Sequence, residues 1–489
     1  MVAGKIGIRR AGHQAESHRQ RTATTITLSE VLNAKCRLDA SSYGIDSRAA
    51  VKALKCSGLP LKTLYGKDGL CKEAHNAFRF PRIWVGKEHG VPFFSSSDII
   101  SIRPSIKGYL SKTQTKNVPK LIVKKWDVLI SCSGTIGNVA IACDRLVGSA
   151  LSQDSLRLRA TDYETAGYVS AFLRSRYGRS QLSGSSYGSV VTHIEPDHLT
   201  RILIPDLHPI IKTDLGRKMN AAVELRDEAN RLIDDADVLL HERLRLPLLS
   251  TLLEGKGETG FRSLRASEIK MRLDGSYHNT KVQAAEKKVK SLDAEISRLD
   301  DPCVSKEILA VTKFRKRTYV ESGGIPMMSS KQIFQVDPID VKKLAKGAHQ
   351  KDLKEISLKE NMVVVSCSGT IGRVFIVPAY MNGWTANQHA IRITAADKFN
   401  PGYLFTWLNS DYGTCFIKRH SYGSVILEID RWMLGSVPIP VPDVKYQNEI
   451  GDLVMKANEL RDEAWRIELN AISELESIIE EKASTSQRS

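Results

Sequence analysis

Two segments of this chain first suggest chemistry. Ser131-Cys132-Ser133-Gly134-Thr135-Ile136-Gly137 recurs unchanged as Ser366 to Gly372, joining hydroxyls, glycines and a thiol within seven residues. Glycine-rich turns can cradle phosphate through backbone N–H groups. Each copy, however, follows an apolar run (Asp127-Val128-Leu129-Ile130; Met362-Val363-Val364-Val365) and precedes a β-branched one (Val139-Ala140-Ile141; Val374-Phe375-Ile376). A strand–turn–strand setting presents no helix N-terminus to an anion, so the glycines are read as suppliers of positive φ in a hairpin. Cys132 and Cys367 have no His or acid at matching positions and read as small core residues. None of the eight cysteines forms a C-x-x-C pair, and no His cluster accompanies them, so a metal site is not expected. Neither a phosphate-binding G-x-x-x-x-G-K-[ST] loop, nor H-E-x-x-H, nor a nucleophile elbow occurs. Asn400-Pro401-Gly402-Tyr403, matched by Thr165-Ala166-Gly167-Tyr168, reads as a helix entrance. No catalytic residue is nominated.

The elements that carry these turns are duplicated. The heptapeptides are 235 residues apart (366 − 131), and the same offset joins Arg37-Leu38-Asp39 to Arg272-Leu273-Asp274, Tyr187-Gly188-Ser189-Val190 to Tyr422-Gly423-Ser424-Val425, and Glu224–Ala229 to Glu459–Ala464. Tyr43 pairs with Tyr277 and Pro92 with Pro326 at 234. One long period means duplication of a whole domain with its connector. The copies diverge most over 45–77 against 279–313 and over 100–120 against 334–354, as a shared scaffold with two different surfaces would. Ser155-Leu156-Arg157-Leu158-Arg159 and Ala390-Ile391-Arg392-Ile393-Thr394 alternate as half-buried strands do. Prolines in Ile202–Pro205 and Val437–Pro440 mark an edge and a stop.

Each copy closes with a long helix. Ala222, Leu225, Ala229, Leu232, Ala236 and Leu239 alternate spacings of three and four, as do Ala457, Leu460, Ala464, Ile467 and Ala471. That is a heptad seam with alanine at one core position, which lets helix axes approach closely. The two helices are expected to pack antiparallel and to act as a ruler between two heads. The fold class is therefore α+β: an internal two-fold repeat of a mixed α/β domain followed by a long helix, the helices forming an antiparallel coiled coil. The expected partition is a disordered basic tail (1–28), a first domain (29–208) with its helix (209–250), a linker (251–264), a second domain (265–443) with its helix (444–482), and a polar tail (483–489).

The formal net charge of +16 points to a polyanionic partner. No secretory signal and no membrane-spanning run is found, and a cytoplasmic location is expected. The order of motifs, from Arg-Leu-Asp through Ser-Gly-Thr-Ile-Gly, Gly-Tyr, Tyr-Gly-Ser-Val and Ile-Pro-x-Pro to the long helix, resembles the specificity subunits of type I restriction–modification systems, over roughly Ser29 to Lys482. The resemblance implies two target-recognition domains that read the halves of a bipartite site in double-stranded DNA. It implies two methyltransferase subunits as partners, with restriction subunits joining them, and S-adenosylmethionine held by the methyltransferase and not by this chain. The alternatives are a recognition subunit of a type IIB or phage-defence system, or a stand-alone DNA-binding regulator. The family's Pro-Pro-Leu-x-Glu-Gln before the helix is replaced here by Val441-Pro442-Asp443-Val444-Lys445-Tyr446-Gln447. On this reading the DNA-contact candidates are Arg79, Arg82, Lys107 and Lys112 in copy one and Arg315, Lys316, Arg317 and Lys346 in copy two. The matched pairs Gln153/Gln388, Tyr187/Tyr422 and Ser189/Ser424 join them, since Gln can pair bidentately with adenine. Tyr43 and Tyr277 read as core.

Overall fold

The computed structural model describes residues 25–33, 44–133, 135–185, 193–253, 264–269, 272–311 and 316–486. Tyr43, Tyr187, Ser189 and Arg315, most of the 1–28 tail and most of the 251–264 linker lie outside the described residues.

The two copies fold alike. In the first, strands 71–76, 155–160, 128–131 and 139–141 form an antiparallel sheet in that spatial order. A second sheet orders 84–85, 108–111, 90–94 and 150–151, its last pair parallel. A two-stranded ribbon joins 61–63 to 203–205. The second copy repeats this with 305–309, 390–395, 363–366 and 374–376; then 319–320, 342–344, 325–328 and 385–386; then 295–298 with 438–441. Identical strand order in both copies makes the duplication a structural fact.

One strand reading needs correction. Strands 155–160 and 390–395 are covered on both faces, and Arg157 and Arg392 are fully buried. Alternation is normally the mark of a strand with one wet face. Here each arginine enters the core because carbonyls there accept its N–H groups: Arg157 Nη2 donates to Leu121 O (2.8 Å) and Leu151 O (2.9 Å), and Arg392 Nη2 to Ala386 O.

The long helices span Pro209–Arg243 and Val444–Ser486. Proline at its first turn suits the start of the former, where an N–H would be unpaired. It ends before the expected bound of 250, because Arg245 turns left-handed (φ 51°) and Leu244, Leu246 and Leu249 leave the axis to enter the second head. The latter instead continues through Ala483–Ser486, part of the expected tail. The pair is antiparallel: Lys218 meets Glu474 (2.7 Å), Arg226 meets Glu468, Arg461 donates to Asn230 (3.3 Å), and Arg243 meets Glu449 (2.8 Å). Ala222, Ala229, Ala236, Ala457, Ala464 and Ala471 are wholly buried, whereas Leu225, Leu232, Leu239, Leu460 and Ile467 are half-buried. Small residues thus make the close contact and the larger ones flank it.

Each helix is bound to both heads. At its start it crosses its own head glycine to glycine, Gly216 against Gly167 and Gly451 against Gly402; a Cβ at Gly216 would lie 2.0 Å from Glu164 O. At its end it enters the other head's core: Ala471, Leu475 and Ile479 join the first, Ile233, Ala236 and Leu240 the second. Neither head completes its core without the partner helix.

The helices do not simply hold the heads apart, since the heads also touch over the middle of the pair. Ile102 N–H donates to Phe334 O (2.9 Å) and Val336 N–H to Ile100 O (2.8 Å), with Ser101 opposite Gln335. These residues correspond at the 234 offset, so the contact is self-complementary about the internal two-fold. Their apolar side chains seat the loops there: Ile102 belongs to a core cluster with Phe334, and Asn230 Nδ2 on the helix donates to Ile102 O (3.1 Å). Beside it, Glu468 accepts from Arg174 (2.7 and 2.9 Å) and from Arg226, while Asp337 of the second head binds Arg174 (2.8 Å) and Arg179. Burial pushes the Glu468 carboxyl up, but the guanidiniums of Arg174 and Arg226 prevail and hold it well below its ordinary value.

Candidate nucleic-acid interface

The repeated Ser-Cys-Ser-Gly-Thr-Ile-Gly segment is a hairpin loop that satisfies itself. Ser131 Oγ donates to Thr135 O (2.6 Å) and accepts from Asn138 N–H (3.2 Å); Ser366 Oγ does the same with Thr370 O (2.6 Å) and Arg373 N–H (2.9 Å). Gly137, Gly369 and Gly372 take φ of 88°, 73° and 80°, which glycine tolerates without strain. The N–H groups of Gly369 and Gly372 go to Leu427 O (2.9 Å) and Ser366 O (3.0 Å), so they are not offered to phosphate. Cys132 and Cys367 donate to Gln153 O and Gln388 O, and burial pushes their thiols up to about 12 and about 11. Neither is a nucleophile at neutral pH. Asn400 Oδ1 caps its helix by accepting from Gly402 N–H (2.9 Å) and Tyr403 N–H (3.3 Å).

The second four-stranded sheet of each head, ordered 84–85, 108–111, 90–94, 150–151 in the first, gathers several nominated cations at its outer edge. In the first head strand 84–85 pairs with 109–110, bringing Arg82 and Lys112 to one edge; both are exposed, and Arg82 lies 5.0 Å over the Phe93 ring. Arg79 is exposed in the preceding loop. Lys107 is committed to Asp98 (3.2 Å) and Ser105 (2.9 Å), which weakens its candidacy. In the second head Ala345 N–H donates to Thr318 O (2.9 Å), so exposed Lys346 lies along the edge that holds Lys316 and Arg317.

Arg317 donates to Gln388 Oε1, and Gln388 Nε2 is 3.1 Å from His389 Nε2. Two nominated side chains are thereby brought together and oriented by each other. Gln153 is half-buried. Tyr422 and Ser424 sit in an exposed loop where Val425 is 93% exposed, held by paired backbone bonds between Tyr422 and Glu428. Tyr277 is core, ringed by His278, His420 and the guanidiniums of Arg272 (4.9 Å) and Arg419 (4.0 Å).

Sequence reasoning missed Trp84, half-exposed and edge-on to Phe93 (5.5 Å), and Tyr319 beneath the Lys342 ammonium (5.0 Å). They occupy matching strand positions, and the signal was the 235-residue offset itself, which places an aromatic residue at both. Guanidinium forks, ammoniums and amides on a firm sheet edge can contact phosphates and base edges. Among the described residues no group of His, Cys, Asp and Glu could hold a metal ion, and no helix is long and apolar enough to cross a membrane.

Comparison with known proteins follows this geometry. Residues 293–460 match the family described as the type I restriction modification DNA specificity domain. Subtracting the 235-residue period places the equivalent first copy at 58–225. The S subunit of a type I restriction-modification system from M. genitalium is 12% identical, with 86% of this chain and 98% of that one covered and a TM-score of 0.30. The HsdS subunit from Thermoanaerobacter tengcongensis is 16% identical over 86% and 98%, with a TM-score of 0.26. A chain from a structure of type I R-M complex assembly and conformational transition is 15% identical over 83% and 97%, at 0.25. No curated protein sequence matches.

Proposed function

We propose that this chain, whose residues 293–460 match the type I restriction modification DNA specificity domain, is the non-catalytic subunit that reads DNA for such a complex. Its two heads would each read one half of a bipartite site in double-stranded DNA. Two methyltransferase subunits, carrying the S-adenosylmethionine, would join it, with restriction subunits as further partners. The observation that carries this reading is one scaffold present twice about an internal two-fold, with different residues on the equivalent basic edges. A two-fold pair of readers matches two half-sites at a fixed separation.

Selection from a pool of random duplexes by the purified chain tests it. The expected result is two short constant blocks separated by a fixed run of unspecified positions. A single uninterrupted block, or none, would overturn it.

A further inference from the structure

Between the heads lies a cleft of about 410 Å³, walled by Thr135 and Asn138 of the first head's hairpin and by Arg317, Lys331, Gln332 and Lys342 of the second head. Asp340 is the one carboxylate in its wall, against three cations. Lys331 and Lys342 are exposed, and among the described residues neither ammonium is ion-paired. The space suits a hydrated anion, a water occupying about 30 Å³.

The internal two-fold supplies a control. Asp98 and Gln332 are equivalent, each accepting from the backbone N–H of the serine three residues before it, Ser95 (2.9 Å) and Ser329 (3.1 Å). Arg373 and Asn138 are equivalent as well, each donating its N–H to the hairpin serine. On one side of the two-fold, then, Arg373 of the second head faces the charge of Asp98, which Lys107 also binds. There a carboxylate of the protein itself stands against the cations. On the other side the same two positions are the uncharged Asn138 and Gln332, and among the described residues Lys331 and Lys342 beside them have no carboxylate ion pair.

We propose that this cleft is a phosphate site: it seats the DNA backbone between the two half-sites, with Lys331 and Lys342 as sequence-blind contacts and Arg317 beside them. The proposal rests on the DNA-reading function proposed above. Its position beside the Ser101–Gln335 contact, where the heads meet, places it where a duplex spanning both heads would pass.

The test is the salt dependence of binding of the full chain to a mixed-sequence duplex of about 40 base pairs. Each neutralised phosphate contributes about 0.9 to the slope of log K against log salt. K331A/K342A is expected to lower the slope by about 1.8 and to bind at least tenfold more weakly at about 0.1 M salt. K287A/K290A, which removes two exposed lysines from the helix Thr280–Lys290, should change the slope by less than about 0.5. An unchanged slope in K331A/K342A, or an equal change in the control, would overturn the cleft while leaving the DNA-reading function standing. A wild-type chain with no salt slope would overturn that function and the cleft with it. Inorganic triphosphate at about 1 mM should compete no better than chloride of equal ionic strength; tight binding lost in K331A/K342A would make this a small-anion site and also overturn the proposal.

Discussion

Glu468 is the residue whose loss should cost most outside the apolar cores. Its carboxylate is 2% exposed and accepts two N–H groups from Arg174 and two from Arg226. Glu468→Ala leaves both guanidiniums desolvated. Arg174 retains Asp337 at 2.8 Å, but Arg226 has no second carboxylate among the described residues. Removing one partner of a buried pair typically costs about 3–5 kcal/mol, and the retained Asp337 places the expectation near about 4 kcal/mol. With an m-value of about 2 kcal/mol per molar, the urea midpoint should fall by about 2 M. Glu468→Gln, which keeps an acceptor and loses the charge, should cost about half as much. Intrinsic fluorescence can follow the transition, since Trp465 is one helical turn from Glu468 and stacks on Tyr380 at 4.7 Å. Because the carboxyl is held low, its contribution persists above the unfolded value of about 4.3 and disappears only as pH falls through the depressed folded value. The wild-type minus variant difference should therefore be as large at pH 5 as at pH 8. A loss under about 1 kcal/mol, or a difference that vanishes by pH 5, would refute the network's role.

Other perturbations follow from the same structure. Gly216→Ala should destabilise by more than about 2 kcal/mol despite alanine's better helix propensity, because its Cβ would sit 2.0 Å from Glu164 O, whereas Gly347→Ala, with nothing within 4 Å, should be near neutral in the same melting assay. Burial raises the Asp227 carboxyl to about 6, and its Oδ1 has no hydrogen-bond partner among the described residues. The raised value means that its contribution is complete below about 3.8 and lost as pH rises through about 6, so Asp227→Asn should raise the melting temperature relative to wild type more at pH 8 than at pH 4. Arg392→Ala should cost about 2–4 kcal/mol by emptying volume and stranding the Ala386 carbonyl, read as a lower denaturant midpoint. Lys112→Ala and Lys346→Ala should each lower the DNA salt slope by about 0.9, measured by titration; no change would remove that lysine from the contacts.

Much of the architecture was legible because duplication imposes the same restraints twice. The 235-residue register, the hairpin glycines and the alanine seam each report a local rule (a period, a positive φ, a close axis) that neighbouring residues state without tertiary help. The buried arginines were not legible. Arg157 looks solvent-facing by alternation, and its burial depends on the carbonyls of Leu121 and Leu151, which nothing in its own strand announces. The contact between heads was hidden for a related reason: Ile100, Ile102 and Phe334 read as ordinary apolar residues in divergent loops, and only the folded two-fold brings them together. Charge nominated Arg82, Lys112, Arg317 and Lys346, and the fold brings them to equivalent sheet edges. The spent lysine, Lys107, is ion-paired with Asp98, whereas Lys331 and Lys342 share a cleft wall with Asp340 without pairing to it, a distinction that only the fold draws.

The central claim, that the two heads read two halves of one DNA site, is tested most directly by the DNA methylation map of the source cell with and without this gene. The account predicts that one interrupted motif, two short specified blocks around a fixed gap, loses its methylation when the gene is deleted. Methylation at every motif persisting after deletion, in a cell where a methyltransferase copurifies with this chain, would contradict it.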